Sequence, residues 1–202
     1  MSRRRMVLVV MAALAVVAGV TFRTAAELTV KGDAAAWREV MAAYDKLSAL
    51  AGYKMKGAMP GGQTMVVEMA RAGTALHMTM QGGNGAMEVI RVGDQSRYRM
   101  TAPGAPAGWI CQGLPEFQKP GDPAALQGTV EIARGPDAAI DGQPVRVYVY
   151  TIQTSVAGLS GSFKTTLNVG TGNGLPRRMV TDTPNGEQTF DFYDYGVPNE
   201  IT

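Results

Sequence analysis

Few side chains in this 202-residue chain could serve a catalytic centre. A nucleophile–base pair would have to use His77, the only histidine, and Cys111, the only cysteine. His77 interrupts the alternation Leu76, Met78, Met80. That places it on the opposite side of a strand, where a solvated or merely hydrogen-bonded ring is expected rather than a general base. Neither segment carries a local protease signature. One histidine and one cysteine are also a poor supply for zinc. Asp191, Asp194 and Glu200 gather near the end of the chain, but their spacing is not that of a calcium loop. Gly82-Gly83-Asn84-Gly85 lacks the lysine and the strand-to-helix context of a phosphate loop and reads as a turn. No catalytic residue, cofactor site or metal site is therefore assigned. The chemistry expected is binding, not reaction.

Apolar side chains are better supplied, and 13 of them are methionines, whose thioethers adapt to irregular partners. Trp37, Tyr44 and Leu47 recur at helical spacing, while Met65, Met78, Met80 and Met100 sit in strand-like runs. With Trp109 they are the candidate lining of an apolar ligand site. Ordinary core packing explains the same residues, so a cavity and a solid core are both open at this stage. An acyl chain would gain roughly 0.8 kcal/mol for each methylene buried there.

One helix and many strands must position these residues. Asp33 is a natural N-cap, followed by Trp37, Val40, Met41, Tyr44, Leu47 and Leu50/Ala51 on one face, with Gly52 as the expected stop. From Tyr53 the period changes to two. Runs around Tyr53–Met59, Met65–Met69, Leu76–Met80, Ile90–Val92 and Arg97–Met100 are separated by Gly-rich turns. A looser stretch, Pro103 to Ala125, precedes further strands at Val130–Ile132, Val145–Ile152, Phe163–Val169, Arg177–Thr183 and Gln188–Tyr195. The expected fold is mainly β with α (α+β), about ten or eleven antiparallel strands that require strong curvature or closure, with the helix covering part of one face.

Residues 1–26 stand apart from this domain, leaving 27–202 as a single unit. Arg3–Arg5, the apolar run Met6–Val20 and the small residues Thr24-Ala25-Ala26 follow the order of a secretory signal peptide cut after Ala26. The alternative is an uncleaved anchor formed by residues 6–22. No cysteine follows the apolar run to accept a lipid. This segment carries four arginines and no acid, so the remainder holds 15 Lys/Arg against 17 Asp/Glu, net −2. Its positive charges are scattered, with Arg177-Arg178 the only adjacent pair, which argues against nucleic-acid binding.

The order of pieces resembles a known family. The helix AAWREVMAAYDKLSAL leads into GYKMKGAM, then TMVVEMARAGTALHMTM, GAMEVIRVGDQSRYRMTAPGAPAGWICQ, and the ending GLPRRMVTDTPNGEQTFDFYDYGVPNEI. Gly93, Asp94 and Tyr98 followed by Trp109, and Leu175–Met179 followed by Phe190–Tyr195, carry the likeness across residues 33–202. It is similar to the LolA/LolB-like periplasmic lipoprotein carriers and receptors and to the lipid-carrying lipoproteins of mycobacteria. The resemblance implies an incomplete, strongly curved antiparallel barrel whose concave face is covered by the N-terminal helix and a loop or short helices. It also implies a monomeric, non-enzymatic cell-envelope carrier of a lipid or acylated protein, with an inner- or outer-membrane partner. Pro103–Ala125 takes the position of a lid. The rival reading is an interaction or sensor domain with a solid core, tethered by its N-terminal segment.

Overall fold

A computed structural model describes residues 28–70, 75–82, 85–93, 95–104, 108–111, 128–156, 159–198 and 201. The expected signal or anchor segment, the Arg71–Gly73 turn, Gly83-Asn84, Asp94, Glu200 and most of the Pro103–Ala125 stretch lie outside the described residues.

The chain runs β1 (Leu28–Gly32), α1 (Ala34–Ser48), β2 (Gly52–Met59), β3 (Gln63–Ala70), β4 (Ala75–Gly82), β5 (Gly85–Val92), β6 (Gln95–Thr101), β7 (Gly128–Arg134), β8 (Ala138–Ile140), β9 (Gln143–Val156), β10 (Leu159–Gly170), β11 (Pro176–Thr183) and β12 (Gly186–Tyr193). All the strands belong to one sheet in the order β1-β7-β9-β10-β11-β12-β2-β3-β4-β5-β6, with β8 paired to β9. Among the described residues only β1 and β7 pair in parallel. The sheet is not closed, since β1 and β6 are its edges. The two strands outside the ten runs named from the sequence are short: β1 has five residues, including Lys31 and Gly32, and β8 has three. Neither is long enough to show a clear two-residue alternation.

Helix α1 begins where the sequence predicts. The Asp33 carboxylate accepts hydrogen bonds from the backbone N–H of Ala35 and Ala36, each at 2.9 Å. Asp33→Ala should cost about 1 kcal/mol of stability, and Asp33→Asn much less, as read from urea midpoints. The C-terminus comes earlier than expected. The Ala49 N–H bonds Asp45 O at 3.1 Å, and Gly52 opens β2 instead of ending the helix. The buried stripe is also turned from the predicted one. It is Ala36, Val40, Ala43 and Leu47, with Trp37 and Tyr44 packed at its border and Met41 left outside the core. Small alanines let the helix backbone approach the sheet closely, so size decided the face more than hydrophobicity did.

Curvature follows from burial. Eleven strands laid flat would span about 50 Å, whereas a 15-residue helix is only about 22 Å long. The helix contacts β1, β7, β10 and β11. Yet Met55, Val67 and Met78 on β2, β3 and β4, beyond those strands, are fully buried in the same core cluster. The sheet must therefore curl so that its inner face covers itself.

Candidate functional site

The strand pairings align one continuous row of side chains across the inner face. Tyr148 pairs with Leu167, Leu167 with Met179, Met179 with Phe190, and Phe190 with Gly57. The row continues through Met65, Met80, Met87 and Met100 on β3, β4, β5 and β6. Its exposure rises toward the β6 edge, from 1% at Met65 and 4% at Met80, through half-buried Met87, to 38% at Met100. A parallel row joins Phe192, Met55, Val67, Met78, Val89 and Tyr98. The result is a methionine-rich apolar surface that runs from the core to solvent.

Helix α1 faces this surface from the other side. The Trp37 and Tyr150 rings meet edge to face at 5.8 Å. The Tyr44 hydroxyl lies 3.4 Å from that of Tyr150 and donates to the Met179 sulfur at 3.5 Å. Burial holds the Tyr44 hydroxyl well above its ordinary value and pushes Tyr150 up to about 12, so both remain neutral donors at any physiological pH. Beyond them Thr165 Oγ1 and Thr181 Oγ1 are 3.1 Å apart, and Gln188 continues the same register. These residues form a buried polar stripe within an otherwise apolar wall. On the helix's outer flank, Tyr148 donates to the Glu39 carboxylate, which Arg146 also approaches at 3.5 Å. This fastens the helix to β9.

Of the sequence-predicted lining residues, Leu47, Met65, Met78 and Met80 converge in the core, with Trp37 and Tyr44 at its helical border and Met100 at the exposed end of the methionine row. Trp109 is elsewhere. It lies between Arg97 and Arg99, whose guanidinium carbons are 5.1 and 4.8 Å from its ring centroid. Arg99 pairs in register with Glu88, so this cation–π sandwich stands on the outer face. Sequence reasoning missed Met87, Val89 and Tyr98. It read β5 by Ile90 and Val92, which point outward and pack beneath Ile201. Arg91, opposite Leu76 on the inner side, breaks the apolar alternation that would have marked the true face.

His77 stands on the outer face between two carboxylates. Its Nδ1 is 3.0 Å from Glu68 Oε2, and its Nε2 is 2.9 Å from Glu88 Oε1. Lys54, 3.0 Å from Glu68, and Arg99, bonded to Glu88, extend this into a charged ladder over β2 to β6. Both ring nitrogens are thus engaged in holding strands together. Among the described residues no group of three or more His, Cys, Asp or Glu side chains is arranged so that it could hold a metal ion. The hydrogen bond from His77, helped by Lys54, holds the Glu68 carboxyl below its usual value. For Glu88 partial desolvation acts upward, and the hydrogen bonds from His77 and Arg99 more than offset it. Carboxyls depressed by folding stabilise the fold above their ordinary range, and that contribution is lost as pH falls through it. Acid unfolding of Glu68→Gln/Glu88→Gln should therefore show a shallower loss of thermal midpoint below the usual glutamate range than the parent. These groups are largely solvated, so the difference will be modest.

No family model matches the chain, and no curated protein matches it in sequence. Solved structures do match. The lipoprotein LppX of Mycobacterium tuberculosis superposes with a TM-score of 0.62 at 15% identity, covering 85% of this chain and 100% of that one. LprF of Mycobacterium bovis gives 0.56 at 14% identity, covering 85% and 98%. The chain thus shares the fold of these two lipoproteins, and the curved antiparallel layout expected from the sequence holds among the described residues as an unclosed, mostly antiparallel sheet with the helix α1 on one face.

Proposed function

We propose that this protein is a non-enzymatic cell-envelope carrier that binds the acyl chain of a lipid, or of an acylated protein, along the inner face of its sheet. The observation that carries this reading is the aligned row Met65–Met80–Met87–Met100, apolar and deformable throughout, which leads from the packed interior to the exposed edge. Thioether side chains can turn aside to admit a flexible chain and refill the space when it leaves, which a wall of β-branched residues would do poorly. Trp37, Tyr44 and Leu47 form the helical side of the site, with Met65, Met78, Met80 and Met100 on the sheet side. The Tyr44, Tyr150 and Thr165 hydroxyls offer hydrogen bonds to an ester or carboxyl head. Binding is passive: apolar burial sets affinity, and small displacements of α1 or the β6 edge set release.

The burial of Met55, Val67 and Met78 gives the rival some support, since a fully packed interior suits an interaction domain with a solid core. Uptake of a fluorescent fatty-acid probe by the full-length protein separates the two. Saturable one-to-one uptake, competed by unlabelled lipid, is the expected result; no uptake at any chain length would leave the solid-core reading.

A further inference from the structure

We propose that Met100 is an oxidation site, at which a peroxide converts the thioether to a sulfoxide and so closes the methionine row to its ligand. The closing rests on the carrier reading; the site itself does not.

Ten methionines lie among the described residues, and they differ sharply in their access to water. Seven are at most 5% exposed, and two, Met41 and Met87, are half-buried. Met100 is 38% exposed. An oxidant must reach a lone pair on the sulfur, so susceptibility follows exposure.

The place of Met100 in the sheet accounts for that exposure. Strand β6 is an edge, and among the described residues only Ile110 pairs with its open side, opposite Tyr98 and two residues short of Met100. On its covered side Met100 stands in register with Met87, and the row continues to Met80 and Met65. An oxidant arriving from solvent therefore meets the row at Met100, and the next sulfur inward is already half-buried.

In the reaction a sulfur lone pair attacks one peroxide oxygen and the O–O bond breaks. The sulfur is oxidised by two electrons to the sulfoxide. The other oxygen takes the displaced proton and, for hydrogen peroxide, leaves as water. An acyl chain lying over the new S=O group would strip it of water, and the neighbouring Met87 and Met80 side chains have no hydrogen-bond donor to give in return. The deeper sulfurs stay reduced, so the packed core is spared. Thiol-dependent reduction of the sulfoxide, yielding a disulfide and water, restores the row.

Hydrogen peroxide treatment of the full-length protein tests this, in a Cys111→Ser background that removes the exposed thiol as a competing target. Peptide mass spectrometry reads the oxygen added at each methionine over time, and titration with a fluorescent fatty acid reads affinity on the same samples. Met100 should oxidise about tenfold faster than Met41 or Met87, in keeping with its greater exposure. Affinity should fall about tenfold as Met100 sulfoxide accumulates, the effect of one polar group left without a partner under the chain. Whatever its starting affinity, Met100→Leu should bind equally well before and after peroxide. Oxidation of Met41 or Met87 as fast as Met100, unchanged affinity once Met100 is fully oxidised, or an undiminished peroxide effect in Met100→Leu would overturn the proposal. A protein that takes up no probe even before peroxide would overturn the carrier reading and the closing with it, while the oxidation rates would still decide the site.

Discussion

Truncating Phe190 to alanine is expected to destabilise the domain by about 3–5 kcal/mol, and Gly57→Ala by about 1–3 kcal/mol, with the two effects far from additive. Phe190 is 1% exposed and lies in register with Gly57. A Cβ on Gly57 would come within 2.6 and 2.8 Å of the Phe190 ring carbons, and 3.5 Å from Met65 Cβ. The glycine is needed for space, since the ring occupies the place of its missing side chain. Removing the ring removes the clash, so Gly57→Ala should be nearly harmless in the Phe190→Ala background. The coupling read from denaturant midpoints should then equal most of the single-mutant cost of Gly57→Ala, about 1–3 kcal/mol. Additive effects would mean that the ring does not lie over Gly57, and that the inner row is not aligned as described.

The second large effect concerns binding. Met100→Asp puts a carboxylate at the exposed end of the methionine row, where the native side chain is 38% exposed. Folding should tolerate it to within about 0.5 kcal/mol, as at most exposed positions. An acyl chain lying along the row would have to desolvate that charge, so fatty-acid affinity should fall at least tenfold, or about 1.4 kcal/mol. Glu88→Gln, on the adjacent strand β5 but on the outer face, should leave affinity unchanged. Equal losses for both variants would place the ligand somewhere other than the inner face.

Much of the fold was legible because amphipathic strands and Asp33 speak locally. Leu76, Met78 and Met80 alternate cleanly with His77 and Thr79, and they do face inward. The tyrosine side of β9 was separable from Val145, Val147 and Val149, although nothing local said which side the helix would cover. The losses came where a long-range contact overrode the local pattern. Arg91 occupies an inner position, and Ile90 and Val92 face outward because Ile201, over a hundred residues later, returns to bury them. Trp109 looked like a lining residue by type alone. Arg97 and Arg99, which hold it on the outer face, alternate with Tyr98 and Met100, and that alternation was the available signal. The polar stripe of Thr165, Thr181 and Gln188 needed three strands in register to be seen at all.

Native mass spectrometry with lipid extraction, on the protein purified without detergent from its own envelope, tests the carrier reading most directly. The account predicts a reproducible, stoichiometric lipid or acyl species, lost or reduced in Met100→Asp. A protein that is always ligand-free and also fails to take up an added acyl probe would contradict it, leaving an interaction domain with a solid core.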